Sequence, residues 1–137
     1  MARSTGLEKW ERRLKQIFDQ IDAQLEEQYG HLYPLHPVRP SSGSTADRSK
    51  DGLFEIGAAF TAGFGSKLGR GYAVEVRLAT LAQVPQAVQE QIELQVIDIL
   101  RRELPRYFPG RNLQVDRDNH VYKIYGDLRL ETDKPDA

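Results

Sequence analysis

A chain of 137 residues with a net charge of −1 and no cysteine has the length of one ordinary domain, enough to bury roughly two-thirds of its extended surface around a single core. The missing thiols exclude disulfides, thiolate metal sites and cysteine nucleophiles, and they fit a reducing compartment. The near-zero charge excludes a bulk attraction to nucleic acid or anionic membrane, although seven cations face four anions between Arg101 and Arg129, leaving the C-terminal third locally basic.

The first ten residues lead into alternating charges rather than an apolar run, so neither a secretory signal nor a membrane span is expected, and the expected location is the cytoplasm. Leu7, Trp10, Leu14, Ile17, Phe18, Ile21, Leu25 and Tyr29 then recur at steps of three and four. That spacing gathers them into one stripe and predicts an amphipathic helix within residues 1–30. Ser4 or Thr5 can cap its start, and Gly30 followed by Pro34 ends it. The stripe fits a helix docked on its own domain as well as one paired with a second copy. Read as heptads it is broken by Gln24 and Gln28, which is poor support for a coiled coil.

Residues 31–52 read as a linker, because Pro34, Pro37 and Pro40 recur every third residue and Ser41 to Thr45 continue as polar chain. Pro34 to Arg39 also satisfies a PxxPx[RK] pattern of the kind polyproline-binding domains take, a pattern short enough to arise by chance.

Residues 53–130 read as one ββαββ domain that opens with the period of half-buried strands. Phe54, Ile56, Ala58, Phe60 and Ala62 share one face of a first strand, and Tyr72, Val74, Val76 and Leu78 share one face of a second. The glycine-rich stretch from Gly63 to Gly71 joins them. A helix is expected from Gln86 to Leu104, opened by Pro85 and stopped by Pro105, with an apolar arc too wide for one sheet surface to cover. Leu113 and Val115, the turn Asp116 to Asn119, and a strand from Val121 to Leu130 make a second hairpin. The expected fold is therefore α+β, a four-stranded antiparallel sheet in a ββαββ arrangement with a helix on one face. Residues 131–137 are expected to form a disordered tail.

The glycine turn brings Gly65 and Gly69 beside Lys67 and Arg70, a candidate anion site, since clustered glycines let backbone N–H groups converge on a phosphate. It joins two strands, however, and matches neither the P-loop nor the dinucleotide fingerprint. Its glycines are equally explained by positive φ in a twisted hairpin. Arg101, Arg102, Arg106, Arg111 and Lys123 lie near Tyr107, Phe108, Tyr122 and Tyr125 and form a candidate nucleic-acid surface. The alternative is helix-end arginines serving the dipole. His31, His36 and His120 lack ligand spacing, Asp116/Asp118 and Glu90/Glu93 define no cleft, and no serine sits in a nucleophile elbow, so no metal, cofactor or catalytic residue is expected.

The outward face of the first hairpin is small and smooth, with Gly57, Ala59, Thr61 and Ala73. Together with the N-terminal stripe and the wide arc of the second helix, it points to a non-enzymatic module that self-associates or docks a protein partner. Ala59, Thr61 and Ala73 join Leu7, Trp10, Leu14, Ile17, Phe18, Ile21 and Leu25 as candidate interface residues. Nucleic-acid binding and anion binding are the alternatives.

Overall fold

The computed structural model describes residues 6–129. Helix α1 spans Gly6–Tyr29 and a short 3-10 turn spans Arg48–Lys50. Strands β1 (Phe54–Thr61) and β2 (Gly71–Leu78) precede helix α2 (Gln86–Tyr107), and strands β3 (Leu113–Asp118) and β4 (Val121–Gly126) follow it. The fold is α+β with the expected order of elements. The candidate caps Ser4 and Thr5, Leu130 and the tail 131–137 lie outside the described residues.

The strands pair antiparallel in the order β1-β2-β4-β3. Because β4 inserts between β2 and β3, those two strands run parallel, and α2 is the crossover between them. Register puts Phe60, Tyr72, Ile124 and Val115 in one row across the sheet, all on the face that the helices cover. β1 and β3 are the two edges.

Both helices lie on this one face. Ile17, Ile21 and Leu25 of α1 have no exposed surface, and the Trp10 ring sits 4.3 Å from Phe108 and 6.0 Å from Tyr72 between ring centroids. Each such side chain stabilises the fold by roughly 1.5–3 kcal/mol. The wide arc of α2 is explained by its two neighbours, the sheet on one side and α1 on the other. The stripe on α1 is thus packed in cis. Of its candidate interface residues, Trp10, Leu14, Ile17, Phe18, Ile21 and Leu25 are buried in the chain's own core, and Leu7 alone is exposed.

Three boundaries differ from the sequence reading. β3 runs through Asp118, so the turn falls at Asn119 and His120, with Asn119 at a φ of +60°, rather than over Asp116 to Asn119. α2 continues through Pro105 to Tyr107, because a proline in the last turn forfeits a single helical bond, and Phe108 N–H then donates to Leu104 C=O at 2.9 Å. β4 ends at Gly126 rather than Leu130. There φ of +112° turns the chain, and Asp127 N–H donates to Asn112 C=O.

Residues 31–52 form a built loop rather than a free tether. The Arg39 guanidinium donates to the carbonyls of Ser49, Asp51, Gly52 and Phe54 at 2.8–3.2 Å. Glu26 on α1 accepts from Leu53 N–H, and the buried Asp51 accepts from Thr45. Arg39 N–H donates to His36 C=O, closing a turn over Pro37 and Val38. The PxxP segment is therefore not an extended polyproline helix, and its arginine is consumed inside the chain.

Candidate functional site: the free edge of β1 and the glycine loop

The glycine loop does hold an anion, and the anion is the chain's own. It curls over the outer face of the β3–β4 hairpin, where the Asp118 carboxylate accepts from Lys67 N–H at 3.2 Å and Leu68 N–H at 2.9 Å. Lys123 Nζ donates to the same carboxylate at 2.8 Å, to Gly69 C=O at 2.7 Å and to Ser66 Oγ at 3.0 Å. The side chains of Lys123 and Asp118 are 3% and 1% exposed. Lys123, with the Leu68 and Lys67 N–H groups behind it, holds the Asp118 carboxyl down to about 2. Gly63 makes the loop possible, since at its φ of +72° an added Cβ would meet Gly69 O at 2.0 Å.

Of the candidate anion-site residues, Lys67 and Arg70 carry exposed side chains, Gly65 stands in open space, and Gly69 gives its carbonyl to Lys123. The N–H groups that would have met a phosphate are those engaged by Asp118.

Of the candidate nucleic-acid cations, Arg101, Arg102 and Arg106 are exposed by half or more on the last turns of α2, whereas Arg111 is largely buried and Lys123 almost fully so. Arg101 donates to Val115 C=O and reaches Asp116, while Arg102 and Arg106 flank the buried Glu103. Arg111 pairs with Asp127 and lies 5.3 Å over the Trp10 ring, and Lys123 is buried as described. Each is committed to a partner within the chain.

The outer face of the first hairpin is as small as its sequence promised. Gly57, Ala59, Thr61 and Ala73 lie on it, and Lys123 fills the space beside Ala73, its register partner. Its outer boundary is the edge strand β1, against which the 3-10 turn Arg48–Lys50 packs. Ala79 N–H donates to Leu53 C=O, which fixes the alternation: Phe54, Ile56, Ala58 and Phe60 turn their N–H and C=O groups away from β2. Arg39 takes the carbonyl of Phe54. Among the described residues, the outward groups of Ile56, Ala58 and Phe60 meet no partner.

Beside this open edge, between β1 and α1, runs a groove of about 420 Å³. Leu14, Phe18, Ile56, Ala58, Phe60 and Tyr72 supply its apolar lining, and its charged lining is Glu11, Lys15, Asp19 and Asp47. Lys15 Nζ bridges Asp47 at 2.9 Å and Asp19 at 3.2 Å. Partial burial alone would lower the Lys15 ammonium, but the bonds it donates to Asp47 and Asp19 win and hold it above its ordinary range. Asp47 is held well below the carboxylate range by Ser49 and then by Lys15. At the open end Phe60 is 58% exposed and, in the loop, Phe64 is 96% exposed.

The sequence reading placed Phe60 and Ala58 on the core face but did not see the groove. Strand alternation says which face a side chain takes, whereas the groove depends on β1 being an edge.

The architecture defines a two-layer α+β domain, with two helices on one face of a four-stranded antiparallel sheet and no helix among the described residues long and apolar enough to cross a membrane. The chain belongs to a family described as "Uncharacterised protein", whose model matches residues 5–126. It is similar to an "Uncharacterized protein" of Borreliella burgdorferi, 40% identical over 106 residues that cover 77% of this chain and 83% of that relative. No solved structure matches.

Proposed function

We propose that this chain is a cytoplasmic, non-enzymatic protein-interaction module whose docking surface is the free edge of β1. The observation that carries the reading is the open stretch of this edge, where the outward groups of Ile56, Ala58 and Phe60 meet no partner among the described residues although the 3-10 turn Arg48–Lys50 packs against β1. Natural sheets protect an edge with proline, lysine, a bulge or a covering element. β1 reads Phe-Glu-Ile-Gly-Ala-Ala-Phe-Thr, pairs residue for residue with β2 without a bulge, and carries neither proline nor lysine. Its central outward amides lie open beside an apolar groove, the geometry in which an added strand gains backbone hydrogen bonds for affinity and side-chain pockets for selectivity.

The test exposes the full-length chain to a library of random peptides and measures its mass in solution across a wide concentration range. Capture of extended peptides, or a mass that rises with concentration, supports the reading when Ala58→Pro removes it. That substitution deletes an outward N–H and spares the ladder to β2. A monomer at every concentration that enriches no peptide overturns it.

A further inference from the structure

The groove's shape and charge specify the occupant beyond its being a strand. Ala58 is the small residue at the centre of the open edge, with the larger Ile56 and Phe60 two residues to either side on the same face. Leu14 and Phe18 close the groove from α1. A strand paired to this edge sets one side chain of each alternate residue over that floor, and the gap above Ala58 takes a large apolar one.

The charged lining is uneven. Three carboxylates, Glu11, Asp19 and Asp47, face one ammonium, Lys15. Trp10 stacks near Tyr72, the register partner of Phe60, whereas Tyr29 stacks near Phe54, so α1 runs antiparallel to β1. Glu11 therefore stands toward the Phe60 end of the groove, and Asp19 with Asp47 toward the Ile56 end. A second copy of the chain would bring the same excess of carboxylates against itself, which like-charge repulsion disfavours. A cationic strand meets it with opposite sign.

From this we infer that the β1 edge binds an extended basic peptide of the pattern cation-x-apolar-x-cation. Its central apolar side chain sits over Ala58, and its Lys or Arg residues reach Glu11 at one end and the Asp19/Asp47 pair at the other. The strand pairs antiparallel to β1, which turns the N–H groups of its Lys and Leu residues toward the edge. This inference rests on the reading of the β1 edge as a docking surface.

The test measures binding of labelled Thr-Lys-Thr-Leu-Thr-Lys-Thr, with blocked ends, to the full-length chain by fluorescence anisotropy. Two control peptides carry Glu in place of Lys, or N-methyl groups on the Lys and Leu amides that would face β1. The Lys peptide is expected to bind more tightly than the Glu peptide by about tenfold or more, as charge-assisted contacts do. N-methylation and Ala58→Pro each abolish binding, and Glu11→Gln narrows the difference between the Lys and Glu peptides.

Should Ala58→Pro fail to fold, the N-methyl comparison on the unaltered chain still decides. Equal binding of the Lys and Glu peptides, or unchanged binding of the methylated one, overturns the inference. A dimer that Ala58→Pro dissolves gives the edge to a second copy and also overturns it. If the Lys peptide does not bind but a library enriches other strands, the docking edge stands and the basic partner falls.

Discussion

Lys123 Nζ lies 2.8 Å from Asp118 Oδ2, and the two charges, almost fully buried, fasten the glycine loop to the second hairpin. Both residues belong to the β3–β4 hairpin, and the loop meets them with neutral groups: the Lys67 and Leu68 N–H groups donate to the carboxylate, and the Gly69 carbonyl and Ser66 hydroxyl accept from the ammonium.

Removing one partner of such a pair is expected to harm more than removing both, because the survivor is left buried and uncompensated. Lys123→Met should therefore lower Tm more than the double variant Lys123→Met/Asp118→Leu, a difference that paired thermal melts can read. The pH dependence has a definite sign. The folded Asp118 carboxyl titrates at about 2, below its ordinary 3.8, so its contribution is complete above the ordinary value and is lost as pH falls from about 4 toward 2. Acid melts of Asp118→Asn should lack that component.

Asp22 carries the opposite linkage. It is buried on α1 with Oδ2 unpartnered, and burial, then the neighbouring Glu26, pushes its carboxyl up to about 7. Arg48 opposes the rise, while Asp51 and Asp19 add to it. Between about 4 and about 7 the unfolded chain ionises this group while the folded chain keeps it protonated, so stability falls as pH rises through that window and then levels. Asp22→Asn should flatten this slope and stabilise the chain at alkaline pH by about 1 kcal/mol or more, as relief of a buried unsatisfied charge does. Denaturant titrations at several pH values give both quantities.

Arg39 is the organiser of the loop between α1 and β1. One guanidinium serves four carbonyls, of Ser49, Asp51, Gly52 and Phe54, and so also caps the first outward carbonyl of β1. Arg39→Met is expected to cost about 2–4 kcal/mol, since hydrogen bonds to a charged donor are worth more than neutral ones and do not add fully. Arg39→Lys should recover little, because an ammonium cannot reproduce the planar fork. Hydrogen exchange should localise the loss to residues 40–54.

These residues show which parts of the fold are legible in the sequence. Alternation at Phe54, Ile56, Tyr72 and Val74 announced the strands and their inner face, and the stripe from Trp10 to Leu25 announced α1, because periodicity is a local property. The order β1-β2-β4-β3 is not local, so nothing in the first hairpin could declare β1 an edge. Arg39 read as the end of a PxxP pattern because its true acceptors are carbonyls, which leave no mark in a sequence. In the sequence Asp118 and Lys123 read separately, one as half of an acidic pair and one as a nucleic-acid cation. Their placement on either side of a tight turn, on one face of a hairpin, was the signal that could have joined them.

The glycines of the loop separate conformational need from steric need. Gly63 and Gly65 both lie at positive φ, +72° and +74°. At Gly65 an added Cβ meets nothing within 4 Å, so Gly65→Ala should cost only the left-handed penalty of about 1–2 kcal/mol. At Gly63 the Cβ would fall 2.0 Å from Gly69 O and 2.7 Å from Arg70 N, both backbone atoms that cannot swing aside. Gly63→Ala must therefore open the loop, and opening it withdraws the Gly69 carbonyl from Lys123. Its Tm should fall further than that of Gly65→Ala, and only Gly63→Ala should weaken the dependence of stability on Lys123. A double-mutant cycle between Gly63→Ala and Lys123→Met, with Gly65→Ala as the control, measures that coupling. Equal coupling for both glycines would show that the loop is not held by Lys123.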